Sequence, residues 1–264
     1  MRDRLNKGIY KDFYRNGPSH RDGADVTFGD IVKIFGFRSA SVGSWVTQQE
    51  QQIAANLFFD ALCDLMTILQ VNEDVISLRG SLSIAFGRGG NKYSSAHYNA
   101  ATRTLALAKN AGGGSLAHEY FHAFDHYIAT RFCHNASPRD FASSLWIKNH
   151  EMIEHPINSL LSLCFEQIFL NGNGEDPSDF FNNSATADKA ANCAYYALPE
   201  EMTARAFESF VQDHHCKNSF LVRGTKKSSA AQLGIYPLAS ERQSIGESFA
   251  NYFAAIGRQL KRAK

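Results

Sequence analysis

The sequence predicts an α+β fold that is mostly α-helical and carries a small β-sheet. Apolar residues recur at helical spacing in several segments, whereas two short segments have the pattern of strands. Of the 264 residues, 44% are hydrophobic and 20% are charged, which is enough apolar material for the core of one large domain or of two small ones. We therefore expect a single domain over residues 26–264, preceded by a polar, loosely ordered segment, 1–25.

A long helix is predicted to begin directly after Thr47. Thr47 and Glu50 have the spacing of a capping box, in which each side chain bonds the backbone N–H of the other residue. Apolar residues then recur every four positions, as expected of one buried helix face: Ile53, Leu57, Ala61, Leu65 and Leu69. Further helices are expected around 157–170, 185–197, 199–213 and 240–260.

Two short strands are predicted before the middle of the chain. Residues 81–90, SLSIAFGRGG, have the pattern of a strand that ends in a glycine turn, and residues 102–109, TRTLALAK, have that of a second strand. The glycine run at 112–114 then leads into a further helix. We expect the small sheet to pack on that helix.

Charge and cysteine usage exclude several classes of protein. The formal charge is +1, so the composition does not indicate nucleic acid as a partner. The five cysteines form no Cys-x-x-Cys pair, which argues against a cysteine zinc cluster and against a secreted disulfide framework. The charged N-terminus lacks the apolar core of a signal peptide, and no run approaches the ~18 apolar residues of a membrane span. A cytoplasmic protein without a membrane partner is expected.

The strongest chemical signal is the stretch HEYFH, which matches the pattern His-Glu-x-x-His. On a helix His118 and His122 are one turn apart, so both imidazoles can reach one tetrahedral zinc ion at ~2.0–2.1 Å. Glu119 lies beside them and can take a proton from a water molecule that the ion activates. The segment therefore predicts a Zn²⁺ site with Glu119 as the general base.

Two further polar residues follow on the same helix. His126 extends the histidine spacing, but on a straight helix it lies ~12 Å along the axis from His118, so it is at best a minor candidate for a ligand. Asp125 shares the face of the two histidines and can accept the second ring N–H of a ligand imidazole. An ordinary solvated aspartate or a salt bridge within the helix is the alternative for Asp125.

The third ligand is expected from a distant segment. Pro199 suits the first position of a helix, and Glu201 precedes Ala204 in the Glu-x-x-Ala arrangement with which zincins supply a glutamate. Glu247 has the same spacing in the last helix, and spacing alone does not choose between the two glutamates. Arg205 and Glu208 share the face of Glu201, where an ion pair between Glu201 and Arg205 is the plainer interpretation.

Five stretches together resemble the large polyvalent protein-associated domain 1 family, which occurs in proteins of phages, plasmids and conjugative elements. They are residues 35–46, 76–90, 94–129, 200–211 and 236–253, in the order of the family. The resemblance implies a zincin-like metallopeptidase fold with His118 and His122 as zinc ligands and Glu119 as the base. It favours Glu201 as the third ligand, because Glu247 aligns with the closing helix of the family.

These expectations converge on a zinc metallopeptidase that cleaves a peptide or protein. Residues 102–109 are expected at a sheet edge, where an extended substrate can pair with the strand, and Arg205 is one candidate for stabilising the oxyanion. The main alternative is a non-catalytic zincin-fold module that binds a host factor or DNA. Hydrolysis of a non-peptide amide is a third option.

Overall fold

The computed structural model describes residues 8–88, 96–109 and 113–262. It is α+β, with about 53% helix and a small mixed sheet of four strands, which confirms the predicted fold class. The chain divides into two compact units. The first contains the residues up to Ala123 and His214–Arg223, and the second contains Phe124–Asp213 and Gly224–Lys264.

The first unit contains the sheet. Its elements are a 3-10 helix (Gly8–Tyr10), α1 (Phe28–Phe35), β1 (Ser39–Val42), α2 (Gln48–Leu69), α3 (Glu73–Ile76), β2 (Ser83–Phe86), β3 (Ala96–Asn99) and β4 (Thr104–Leu107). Helix α4 (Leu116–Phe132) has residues in both units. Gly89 and Gly90, where the glycine turn after β2 is predicted, lie outside the described residues.

The strand order β1-β2-β4-β3 shows that the predicted edge position of residues 102–109 is wrong. Strand β4 pairs in parallel with β2 and antiparallel with β3, so β1 and β3 form the edges among the described strands. Leu105, Ala106 and Leu107 are all buried. A continuous apolar run of this kind is typical of an interior strand that is covered on both faces.

Helix α2 begins where the capping box predicts. The Thr47 side chain accepts from the N–H of Glu50 at 3.3 Å, and Glu50 Oε2 accepts from the N–H of Thr47 at 2.9 Å. By length and apolar composition α2 meets the criterion for a helix that can cross a membrane, contrary to the expectation that no segment does. This is a weak indication, because a buried core helix meets the same criterion and 56% of the apolar window in α2 is buried.

The second unit is helical. Its elements are α5 (Ala142–Ile147), α6 (Pro156–Phe169), α7 (Asp179–Ala191), α8 (Pro199–Asp213), α9 (Ser229–Gln232) and α10 (Ala239–Arg262). The predictions for α6, α8 and α10 are confirmed to within two residues. Phe207 of α8 lies against Phe249 and Phe253 of α10, with ring centroids 5.7 Å apart in both pairs.

The predicted bounds of α7, 185–197, are wrong at both ends. The helix begins six residues earlier because the Ser178 side chain accepts from the N–H of Phe181 and caps the first turn. It ends at Ala191 because Asn192 adopts a left-handed conformation with φ 49°, which closes a helix at its C-terminus.

A buried carboxylate ties the N-terminal segment to α2 in the first unit. Asp64 accepts from Arg15 at 2.6 and 2.7 Å, from the His20 ring at 2.9 Å and from the Asn218 amide at 2.8 Å. Burial pushes the pKa of Asp64 upward, but the hydrogen bonds from Arg15, Asn218 and His20 outweigh it, so the pKa lies below its ordinary value. Asp64 is therefore charged in the folded protein and held by its neighbours.

We expect Asp64→Asn to lower the free energy of unfolding by about 3 kcal/mol, because it leaves buried cationic and amide donors without their carboxylate. Urea denaturation at pH 7 measures this change. Since the folded pKa is depressed, the contribution of Asp64 is present above the unfolded pKa of about 4 and is lost as the pH falls below it. The matched control is Asp60→Asn. The Asp60 carboxylate pairs with Arg21, but the side chain of Asp60 is 16% exposed, whereas that of Asp64 is 0% exposed. Equal losses in the two variants would contradict the prediction.

Candidate metal centre

The first turn of α4 is fixed by the segment 218–223, which lies in the same unit. The N–H of Gly114 donates to Phe220 O at 2.7 Å, and the N–H of Ala117 donates to Leu221 O at 3.0 Å. A Cβ on Gly113 would lie 2.4 Å from the Phe220 ring, and one on Gly114 would lie 2.4 Å from Arg223 Cγ. Gly114 also has φ +109°, so the glycine run is required for this close approach.

Within the first unit, α4 places His118 and His122 side by side. Their Nε2 atoms are 3.0 Å apart, and their rings are nearly perpendicular, with centroids at 4.6 Å. Two nitrogens at ~2.0–2.1 Å from one tetrahedral zinc ion lie roughly 3.3 Å apart, so the observed separation fits a shared ion. An N–H···N hydrogen bond between the two rings has the same spacing.

Glu119 is anchored on the sheet. Its Oε2 accepts from the backbone N–H of Tyr98, in strand β3, at 2.6 Å. This bond fixes the orientation of the carboxylate next to the two histidines in sequence. The donor is a backbone group of an edge strand. The helix motif by itself does not predict this contact.

Glu201 lies in the first turn of α8, in the second unit. The N–H groups of Glu201 and Met202 both donate to Leu198 O, at 3.1 and 2.9 Å, so the helix starts at the predicted place. Glu201 is the third predicted ligand beside His118 and His122. Their assignment as zinc ligands stays a prediction.

Asp125 and His126 have clear partners in the second unit. Asp125 accepts from Ser143 twice, from its N–H at 2.9 Å and from its hydroxyl at 2.5 Å. His126 Nε2 lies 2.7 Å from Pro138 O, and because a carbonyl only accepts, that nitrogen carries a proton and has no lone pair for a metal. The predicted support of a ligand imidazole by Asp125 stays a prediction.

The remaining predicted residues are distributed over α8 and α10. Arg205 is 4% exposed, and its guanidinium donates to Glu201 O at 3.1 Å, to Ile235 O at 2.5 Å and to Tyr196 O. Burial lowers the pKa of Arg205. Glu208 is buried and accepts from Tyr236 Oη at 3.1 Å, whereas Glu247 is exposed and accepts from the Gln243 amide at 2.9 Å.

Asp188 organises the loop before α8, a role that the sequence pattern does not predict. Its carboxylate accepts from the N–H groups of Tyr195, Tyr196 and Ala197 at 2.7–2.9 Å and from Cys193 Sγ at 3.3 Å. Burial raises the pKa of Asp188, but the backbone hydrogen bonds outweigh it and hold the pKa below its ordinary value. No local pattern marks such a residue, because an aspartate near a helix end has many ordinary uses.

The comparisons with known proteins bear on this part of the chain. Residues 187–260 match the family model of the large polyvalent protein-associated domain 1, which supports that family name. The matched region contains Glu201 and ends within α10, and it does not include His118, Glu119 or His122. No curated protein and no solved structure matches the chain.

We expect Asp188→Asn to loosen the loop that precedes Glu201. An amide has one acceptor oxygen, and its NH2 group would face backbone donors, so the free energy of unfolding should fall by about 1–3 kcal/mol. Hydrogen exchange should be faster at the amides of Tyr195, Tyr196 and Ala197. Asp176→Asn, in an exposed loop, is the control and should change neither quantity. Unchanged exchange in Asp188→Asn would show that the carboxylate does not hold the loop.

Proposed function

We propose that the protein is a zinc-dependent metallopeptidase in which His118, His122 and Glu201 hold the ion and Glu119 is the general base. The observation that carries the proposal is the 3.0 Å separation of the two Nε2 atoms next to a glutamate whose orientation is fixed. The proposed setting is the cytoplasm of a cell that carries a phage or another mobile element. The substrate is a peptide or protein.

The donor set supports zinc over other metals. Two imidazole nitrogens and one carboxylate oxygen form the three-ligand set of several catalytic zinc sites, in which a fourth position stays open for water or substrate. An ion bound there would lower the pKa of a coordinated water to near neutrality and polarise a carbonyl oxygen. Binding of the ion requires both histidines in their neutral form.

Glu119 supplies the proton transfer. Its Oε2 is held by the N–H of Tyr98, so Oε1 is the atom that takes a proton from the attacking water. The resulting hydroxide would form a C–O bond with the scissile carbonyl carbon. When the C–N bond breaks, the same carboxyl donates its proton to the nitrogen of the leaving amine. Because the N–H of Tyr98 keeps the carboxylate in one rotamer, little reorganisation is needed at the moment of transfer.

We expect purified wild type to contain one zinc ion per chain by elemental analysis. Glu201→Ala and His118→Ala should be purified without it, because the two remaining ligands bind the ion much more weakly. His126→Ala should keep it, since Nε2 of His126 is bonded to Pro138 O. A wild type that takes up no zinc after reconstitution would contradict both the metal site and the peptidase.

Glu119→Gln tests catalysis separately from metal binding. The amide cannot take the proton, so cleavage of a fluorogenic peptide library should fall by about 10²–10⁴-fold. The zinc content and the thermal unfolding midpoint should match those of the wild type. If the variant keeps the biological phenotype of the wild type, the protein acts instead as a non-catalytic zincin-fold module on a host factor or DNA.

A further inference from the structure

The short helix α5 links two helices of the second unit through side-chain hydrogen bonds. At its start, Ser143 donates to Asp125 of α4 through both its N–H and its hydroxyl. One residue later, Ser144 Oγ donates to Glu200 Oε2 of α8 at 2.9 Å. Glu200 is the immediate neighbour of Glu201, so a continuous path runs from the histidine helix to the proposed carboxylate ligand.

The first bond of this path is a helix cap supplied from another element. Phe141 occupies the N-cap position of α5, and its side chain has no hydrogen-bonding group. Asp125 takes that role by accepting the N–H of Ser143, which is in the first turn of α5. Asp125 and Ser143 are 1% and 0% exposed, so the bond is shielded from competition with water.

A third contact holds α5 against α6. Trp146 Nε1 donates to Ser162 Oγ at 2.8 Å, and the Trp146 ring stacks on Phe169 with centroids 5.8 Å apart. Helix α5 is thus fixed at three positions, Ser143, Ser144 and Trp146, to three different helices. A segment of six residues with this many anchors has little freedom to shift. The position of α8 therefore depends, through α5, on the position of α4.

We infer that Asp125, Ser143 and Ser144 are positioning residues for the zinc site, and that they act on Glu201 through the bond between Ser144 and Glu200. His118 and His122 need no such device, because the pitch of α4 fixes their spacing. The carboxylate ligand comes from a different helix, so its position depends on how α8 is held. This inference rests on the proposed function, and it gives Asp125 a role distinct from orienting an imidazole.

The test measures zinc affinity in competition with a chromophoric chelator, together with the visible spectrum of the Co²⁺-substituted protein. Ser144→Ala removes the hydroxyl and should weaken zinc binding about 10-fold, the scale of outer-shell effects. It should also change the intensity of the cobalt bands, which reports the number of ligands. Ser144→Thr keeps the hydroxyl and should restore both. The matched control is Ser159→Ala in α6, an exposed serine that should change neither.

Two further variants separate positioning from general stability. In the Glu201→Ala background, Ser144→Ala should have no additional effect on zinc affinity, because the residue through which it acts is gone. The thermal midpoint of the metal-free Ser144→Ala protein should match that of Ser159→Ala. If Ser144→Ala itself does not fold, Glu200→Gln weakens the same bond and should reproduce its loss of affinity.

The outcomes distinguish the inference from the proposed function. A wild type that binds no zinc overturns both. A wild type that binds zinc, with Ser144→Ala and Glu200→Gln equal to the Ser159→Ala control, overturns the inference alone. A loss of affinity in Ser144→Ala that persists in full in the Glu201→Ala background also overturns it, because the serine would then act by another route.

Discussion

Helix α4 is held near its start and again further along by groups outside the helix. In the first unit, the carbonyls of Phe220 and Leu221 accept from the N–H groups of Gly114 and Ala117. In the second unit, Asp125 binds the first turn of α5. The proposed chemistry depends on this constraint, because the helix carries two of the proposed ligands and the proposed base within about one turn. A rotation or shift of α4 would displace all three together.

The parts of the fold that were predicted from sequence are those fixed by neighbouring residues. The capping box at Thr47 and the proline that opens α8 act over a few positions, so they can be read locally. The interior position of β4 cannot be predicted from neighbouring residues, because it depends on which strands pair across the sheet. The roles of Asp188 and Ser144 could not be predicted for the same reason. The backbone partners of Asp188 are 7–9 positions away, the partner of Ser144 is 56 positions away, and neither residue type marks its role.

The buried charges serve as fixed points for irregular backbone. Asp188 gathers three amides of the loop before α8, and Arg205 donates to the Tyr196 carbonyl of that loop and to Ile235 O. Moving such groups out of water is costly, and the bonds recover that cost only when the geometry is good. These buried groups therefore contribute a defined conformation. They hold the irregular loop that leads into Glu201 in one position. The same logic applies to Asp64, which holds the N-terminal segment in the first unit.

These contacts are unevenly distributed around the proposed ligands. The spacing of His118 and His122 follows from 3.6 residues per turn, so any α-helix with this sequence supplies it. A carboxylate on another helix has no such guarantee, and a displacement near 1 Å is enough to lose a metal–oxygen bond at ~2 Å. Around Glu201 the protein places the Asp188 loop before the helix, Arg205 on its own carbonyl and Ser144 on its neighbour. Such a concentration of polar contacts around the least constrained of the proposed ligands is what the proposed site requires.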